Sequence, residues 1–444
     1  MRRLSLVFLL LISLSSVLEG KIYESVWIEL NRPDGIYSPG DTAKVFARSS
    51  RRSEKMVKEV RINGRTVSEE EIELGRKSIL VHSEVCDSTR WVAIILHPPG
   101  DKTQDVDVGY VVSPEKFTTA YDEPSDFAEF WKKEIAKVRK KKMKFKAEPV
   151  VVPEKYADKV ECWHVEITMP EGWPVNAYVG APVGAQPGTL PIWIKAHGAM
   201  PVTDKGTQSS ISSVCETAVV GALAMDLNAH GMKDGAPASY YKELNDGILK
   251  DYANRPLKDR KSWYFRLMYL RLVRALDYMT SLPWWDGERV MVSGGSQGGG
   301  QALALGGLDE RVTHIRAYVP ALCDLGAANE GRIGGWPFSR RDQDVPATEL
   351  AQSILPYYDA AILARHFKGN LYIEVGFTDY TCPANGVYAA FNQSPAAIKQ
   401  IVPFYHRHHA WVYPRYKTEY DAIIQPARDR FVRAFLDKKQ WTVQ

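Results

Sequence analysis

One segment constrains this chain more than any other: Val290-Met-Val-Ser-Gly-Gly-Ser296-Gln-Gly-Gly299. The apolar run Val290 to Val292 reads as a buried parallel strand. It passes into Gly-Gly-Ser-Gln-Gly-Gly, and Gln301-Ala-Leu-Ala-Leu305 then reads as a helix. Strand, tight turn and helix in that order place a serine hydroxyl on a sharp bend at the end of a strand. Glycines on both sides let backbone pass where a Cβ would clash. Taken alone, Gly-x-Ser-x-Gly also describes a glycine-rich loop with a solvated serine. The strand before it and the helix after it favour the bend. Gln297 then opens the helix, with its backbone N–H where an oxyanion would form. Ser296 so placed predicts nucleophilic acyl chemistry. The rest of the chain must supply a base, an orienting acid and a second oxyanion donor.

The chain can build a large core. It has 444 residues, 45% of them hydrophobic and 25% charged, enough for two or three domains. The formal net charge of +4 is small for this length and points to no nucleic-acid partner. Arg2 and Arg3 precede an apolar stretch, Leu4 to Leu18, broken only by serines, and small residues (Ser15, Ser16, Gly20) follow. Residues 1–20 therefore read as a signal peptide, too short and wrongly flanked to span a bilayer. No cysteine near its end marks a lipid anchor, and no later segment is apolar enough to span. An exported protein, secreted or periplasmic, is the expectation. Five scattered cysteines, Cys86, Cys162, Cys215, Cys323 and Cys382, show no CxxC pair or histidine spacing of a metal site. They read as buried thiols rather than disulfides, since a core of this size needs no staples.

Residues 21–115 read as an all-β unit. Short alternating runs such as Ser25–Leu30, Thr42–Ala47, Lys58–Ile62, Ser78–Val81, Trp91–Leu96 and Val106–Val112 are separated by turn signals, among them Asn63-Gly64. Six or seven such strands predict a small immunoglobulin-like sandwich without the Cys…Trp…Cys signature. A helix follows over about Ser125 to Arg139, capped by Ser125 or Asp126, with Phe127, Phe130, Trp131 and Ile135 on one face. The basic run Lys137 to Lys146 reads as its solvated end, with contact to an acidic polymer as the rival reading. Residues 116–444 then alternate strands and helices. Strands are expected at Cys162–Thr168, Asn176–Val183, Pro191–Ala196, Val219–Met225, Val290–Ser293, Ile315–Val319, Asn370–Val375 and Ile401–Tyr405. Helices are expected at Tyr264–Met279, Gln301–Leu308, Glu349–Arg365, Ala384–Phe391 and Tyr420–Leu436. Repeated β-α units predict an α/β fold with a mostly parallel sheet, the α/β-hydrolase architecture given the serine bend.

In that architecture the acid and the base follow the serine, each after a later strand. Asp379 comes directly after Asn370-Leu-Tyr-Ile-Glu-Val375 and is placed to orient an imidazole. A turn-forming aspartate is the plainer reading of the same position. The cluster His406-Arg-His-His409 follows the last strand, where the general base belongs. A metal site is the rival reading of that cluster, but no carboxylate or thiol stands beside it, so no metal and no cofactor are expected. Residue chemistry alone leaves His408 and His409 both open. Leu190-Pro-Ile-Trp-Ile-Lys-Ala196 ends in His197-Gly198-Ala199, a loop of the kind that supplies the second oxyanion donor. The two donors read as the Gln297 and Ala199 N–H groups.

From about Phe117 onward the chain resembles the acetyl xylan esterases of the cephalosporin-C deacetylase group, carbohydrate esterase family 7. The resemblance rests on Tyr121-Asp-Glu-Pro-Ser-Asp-Phe-Ala-Glu-Phe-Trp131, on Gly-Gly-Ser296-Gln-Gly-Gly, on Gly376-Phe-Thr-Asp379-Tyr-Thr-Cys382-Pro-Ala384 and on Val387-Tyr-Ala-Ala-Phe-Asn392. Matching the last strand without a gap puts the family's closing histidine on His409. The resemblance implies Ser296, Asp379 and His409 as the working set. It implies hydrolysis of acetyl esters on sugars such as acetylated xylan or xylo-oligosaccharides, no cofactor, and assembly as a homo-oligomer. Three positions depart from the pattern: Ala199 stands for a tyrosine, Asp226-Leu-Asn-Ala-His-Gly231 for an Arg-Gly-Gln-Gly stretch, and Ala410 for a glutamate. His197, His408 and Trp336 are candidates to line the substrate pocket, Trp336 with core packing as the alternative. The rival functions are another α/β-hydrolase (a peptidase, lipase or dienelactone-type enzyme) and a non-catalytic carbohydrate-binding protein on the same fold.

Overall fold

The computed structural model of the protein describes residues 22–199, 209–339 and 348–443. The segment read as a signal peptide, residues 1–20, lies outside them. Eight strands come first: β1 (Val26–Leu30), β2 (Ile36–Tyr37), β3 (Thr42–Ser49), β4 (Glu54–Ile62), β5 (Arg65–Leu74), β6 (Ile79–Val85), β7 (Arg90–His97) and β8 (Val106–Val112). They form a three-stranded sheet, β1-β3-β6, and a five-stranded one, β2-β8-β7-β4-β5. Alternation explains the pairing: Val26, Ile28, Ala43, Val45 and Ala47 are buried from one sheet, and Met56, Val60 and Val92 are buried from the other. Asn63, at φ 51°, and Gly64 make the β4–β5 turn that their dipeptide predicts.

A nine-stranded sheet follows, built from β9 (Phe145–Pro149), β10 (Val160–Ile167), β11 (Val175–Pro182), β12 (Leu190–Ala196), β13 (Leu223–Leu227), β14 (Trp285–Gly295), β15 (His314–Tyr318), β16 (Asn370–Gly376) and β17 (Ile398–Phe404). Its order is β17-β16-β15-β14-β12-β13-β11-β10-β9. The strands from β17 to β13 run parallel, and β11, β10 and β9 add on antiparallel. The α/β expectation therefore holds. The parallel strands β12 and β16 are buried along most of their length, and β14 is buried from Val290 to Gly294, which is why these stretches read as continuous apolar runs.

Several local readings need correction. The tail of the basic run forms β9, an edge strand exposed throughout, where lysine and glutamate deter further pairing. The strand read at Val219–Met225 begins only at Leu223, because the helix Ile211–Ala218 and a turn at Gly221 occupy the preceding residues. The long helix read over Glu349–Arg365 is broken into short turns, since Pro356 cannot continue it. The helix Phe127–Lys140 buries the expected face, but Asp126 does not cap it. That carboxylate instead pairs with Arg260 at 2.7 Å. All five cysteines are buried free thiols.

Candidate active site

Strand β14 ends at Gly295, and the helix Gln297–Leu308 begins two residues later. Ser296 makes the bend with φ 55° and ψ −126°, a conformation that costs a non-glycine residue energy and persists only where the surroundings hold it. The hold is visible. Ser296 N donates to Tyr318 O at 3.1 Å, and Ala321 N donates to Ser296 O at 2.9 Å. The helix also crowds the neighbouring strand. A Cβ on Gly298 would lie 2.3 Å from Ala196 O, so only glycine fits there.

Three side chains converge on this bend from the carboxyl ends of three strands. Ser296 follows β14, Asp379 follows β16 and His409 follows β17. His409 Nε2 lies 2.9 Å from Ser296 Oγ, and its Nδ1 lies 2.9 Å from Asp379 Oδ2. The other carboxylate oxygen, Asp379 Oδ1, accepts from Thr381 N at 2.9 Å and from Cys382 N at 2.8 Å. Asp379 is fully buried, while the His409 side chain keeps 27% of its exposure, enough for a substrate to reach it. A carboxylate fixed by two backbone donors sets the tautomer of the imidazole: Nδ1 carries the proton and Nε2 is left to accept one.

The loop His197-Gly198-Ala199 follows β12 and lies against the bend. A Cβ on Gly198 would stand 3.7 Å from Ser296 Cβ. Gln301 Nε2 donates to His197 O at 2.9 Å, and Gln297 Nε2 donates to the same carbonyl at 3.4 Å. The helix that starts at Ser296 thus holds the loop carrying Ala199. Gln297 occupies the first helical position, whose N–H has no acceptor within the helix. The His197 ring turns the other way and pairs with the buried Asp226.

Trp336 is half-buried beside the acid loop. Its backbone N–H donates to Thr381 O at 2.8 Å, and its ring lies 6.2 Å from that of Tyr252. His408 sits on the far side of its turn from Ser296. Its ring stacks on Trp411 at 4.0 Å, and its Nε2 lies 3.1 Å from Asp107 Oδ1. Its place is under the turn rather than in the wall of a pocket. Burial opposes a charge on His408, but Asp107, with Asp105 and Asp379 nearby, outweighs it and raises the pKa above the usual imidazole value.

Two participants escaped the sequence. The Tyr252 hydroxyl donates to Gln297 Oε1 and fixes that side chain. Burial holds this phenol in its neutral form. Nothing in the irregular segment around Tyr252 announces this contact. Cys382, fully buried against Ser296, has a pKa pushed far up, first by burial and then by Asp379. Asp379, Cys382 and His409 also offer ligand atoms within 4.8 Å of one another. Two of those three side chains are already hydrogen-bonded to each other.

A mostly parallel sheet, a strained serine between strand and helix, and an imidazole and carboxylate delivered by later strands define the α/β-hydrolase class of serine esterases. Within that class the chain belongs to the acetyl xylan esterase (AXE1) family, whose profile matches residues 114–421. The acetyl esterase Axe7A of Xylanibacter ruminicola is 32% identical over 308 residues, covering 68% of this chain and 67% of that protein. An acetyl xylan esterase from a Paenibacillus species has the same fold, with a TM-score of 0.56, 24% identity, and coverage of 70% of this chain and 97% of that one. Acetyl xylan esterase 1 from a Thermoanaerobacterium species matches with a TM-score of 0.56, 20% identity, and the same coverage of both chains. The family match begins only after β8.

Proposed function

We propose that this protein is an exported serine esterase that removes acetyl groups from sugars, such as those of acetylated xylan or xylo-oligosaccharides, through an acyl-serine intermediate. The single observation that carries the chemistry is the continuous chain Ser296–His409–Asp379, with both links at 2.9 Å. Membership of the acetyl xylan esterase family, and a relative named as an acetyl esterase, support the substrate class.

His409 Nε2 takes the Ser296 proton as Oγ attacks the ester carbonyl. Asp379 holds the imidazole and stabilises the imidazolium. The carbonyl oxygen becomes an oxyanion between the Gln297 and Ala199 N–H groups, each donor worth roughly 2.7–4 kcal/mol in the transition state. The imidazolium then gives its proton to the departing sugar oxygen as the ester C–O bond breaks, releasing the sugar hydroxyl. Water, deprotonated by His409, attacks acetyl-Ser296; acetate leaves as the bond to Oγ breaks, and the imidazolium returns its proton to Ser296 Oγ. Trp336, hydrogen-bonded to the acid loop, and Tyr252, hydrogen-bonded to Gln297, are the walls that limit the acyl group, while the His197 ring is engaged with Asp226. Residues 21–115 form the N-terminal sandwich of this reading and residues 116–444 the esterase domain.

The test is acetate release from acetylated xylo-oligosaccharides by wild type and by Ser296→Ala. The variant is expected to lose essentially all turnover. Undiminished release would remove Ser296 from the mechanism. Faster turnover of long-chain acyl esters or peptides would replace the substrate class.

A further inference from the structure

The site does not stand on the esterase domain alone. The two loops that carry Asp379 and His409 both rest on the N-terminal sandwich, and one residue of that sandwich touches nearly every support of His409. Asp107 lies on β8, fully buried. Its carbonyl accepts a hydrogen bond from His406 Nδ1 at 2.8 Å. Its carboxylate accepts from the Tyr413 hydroxyl at 3.0 Å and from the Tyr380 hydroxyl at 3.4 Å, and forms the ion pair with His408 at 3.1 Å. These partners lie on both sides of His409 and directly after Asp379.

The turn itself is short. An isolated bridge joins Arg407 to Val412, and His408 N donates to Trp411 O at 3.0 Å. His408 and His409 are adjacent, so holding one ring below the turn fixes where the other emerges above it. The acid loop is held from the same side. Trp91 Nε1, on β7, donates to Phe377 O at 2.7 Å, and the Arg61 guanidinium lies 4.9 Å from the centre of the Tyr380 ring. A Cβ on Gly109 would lie 2.0 Å from Phe377 O, so β8 and the acid loop run in direct contact.

We infer that Asp107 is a positioning residue for His409, and that the sandwich is part of the catalytic apparatus rather than a detachable accessory. The inference rests on the esterase reading above, and it lies outside the segment that matches the family, which starts at residue 114. The titratable groups facing His408 are Asp107 and Asp105 from the sandwich, Asp379 from the acid loop, and His406 and Tyr413 from its own loop. The three carboxylates favour a charged His408, and that charge holds the turn to β8. Deprotonation of His408 on the alkaline side weakens the same support.

The experiment uses the full chain carrying Asp107→Asn or His408→Gln. Both keep size and some hydrogen-bonding capacity while removing the ion pair. Acetyl-ester turnover is measured from pH 6 to about 10, together with the rate at which a fluorophosphonate labels Ser296. The expected result for both variants is a kcat roughly 10- to 100-fold lower with KM within about twofold, since small misplacements of a reacting group cost that much. Labelling slows in parallel. The wild-type decline in kcat at alkaline pH is absent from both variants, an effect that a merely structural role would not produce. A kcat within about twofold of wild type, in either folded variant, overturns the inference. If Asp107→Asn does not fold, His408→Gln decides by the same criteria. If wild type releases no acetate from sugars, the substrate reading fails, and the labelling rates still test the positioning role.

Discussion

In an Asp379→Asn variant the new amide has two orientations, and its surroundings favour one. Oδ1 accepts two backbone N–H groups, from Thr381 at 2.9 Å and Cys382 at 2.8 Å. An amide NH2 in that position would set donor against donors in a fully buried site, at a cost of roughly 1–3 kcal/mol for each group left unmatched. The amide oxygen therefore takes the Oδ1 position, and the NH2 group faces His409 Nδ1. Nδ1 must then act as acceptor, so the neutral imidazole carries its proton on Nε2, 2.9 Å from Ser296 Oγ. That tautomer cannot take the serine proton. The geometry survives while the base is lost, and the expected fall in kcat is roughly ten-thousandfold, or about 5 kcal/mol, with KM nearly unchanged. Turnover of p-nitrophenyl acetate at neutral pH reads kcat and KM, and a thermal melt shows that the fold is intact. An Asp379→Asn enzyme within tenfold of wild type would refute the reasoning, because the two backbone donors would then not dictate the tautomer.

Two further outcomes follow from the packing. Gly298→Ala, normally a helix-favouring change, is expected to destabilise the protein by about 3 kcal/mol or more, because the added Cβ would stand 2.3 Å from Ala196 O, and an unchanged or raised melting temperature would contradict it. Burial lowers the pKa of His230 to about 3, of His406 to about 3 and of His314 to about 4, so all three stay neutral in the folded state while the unfolded chain takes up protons near 6.5. Stability is therefore expected to fall as pH drops from 6.5 toward about 4, with an uptake of up to about three protons on unfolding, and a flat melting temperature across that interval would contradict it.

The serine bend was legible because everything that makes it is local. Glycines are needed wherever backbone passes backbone, an apolar run must precede the bend, and a helix must follow it; all of these lie within about twenty residues. Chain order then placed Asp379 and His409 after the correct strands, since parallel strands deliver their ends to one edge of the sheet. The choice between His408 and His409 was different. Both follow β17, and only resemblance to a family selected His409. The structure shows the physical distinction: His409 faces Ser296, while His408 faces Asp107.

By itself, then, the sequence determined the strand–bend–helix unit at Ser296, the α/β class, the strand-rich character of the first hundred residues and the family. These depend on short-range periodicity and on steric rules that act between near neighbours. Only the tertiary structure decided that Tyr252 fixes Gln297, that Pro356 ends a long helical pattern in short turns, and that β8 underlies the turn bearing His409. Asp107 and His408 are 301 residues apart in the chain and 3.1 Å apart in space. No local pattern records such a pair, because the energy that unites them arises only where two different units of the fold bury a common surface.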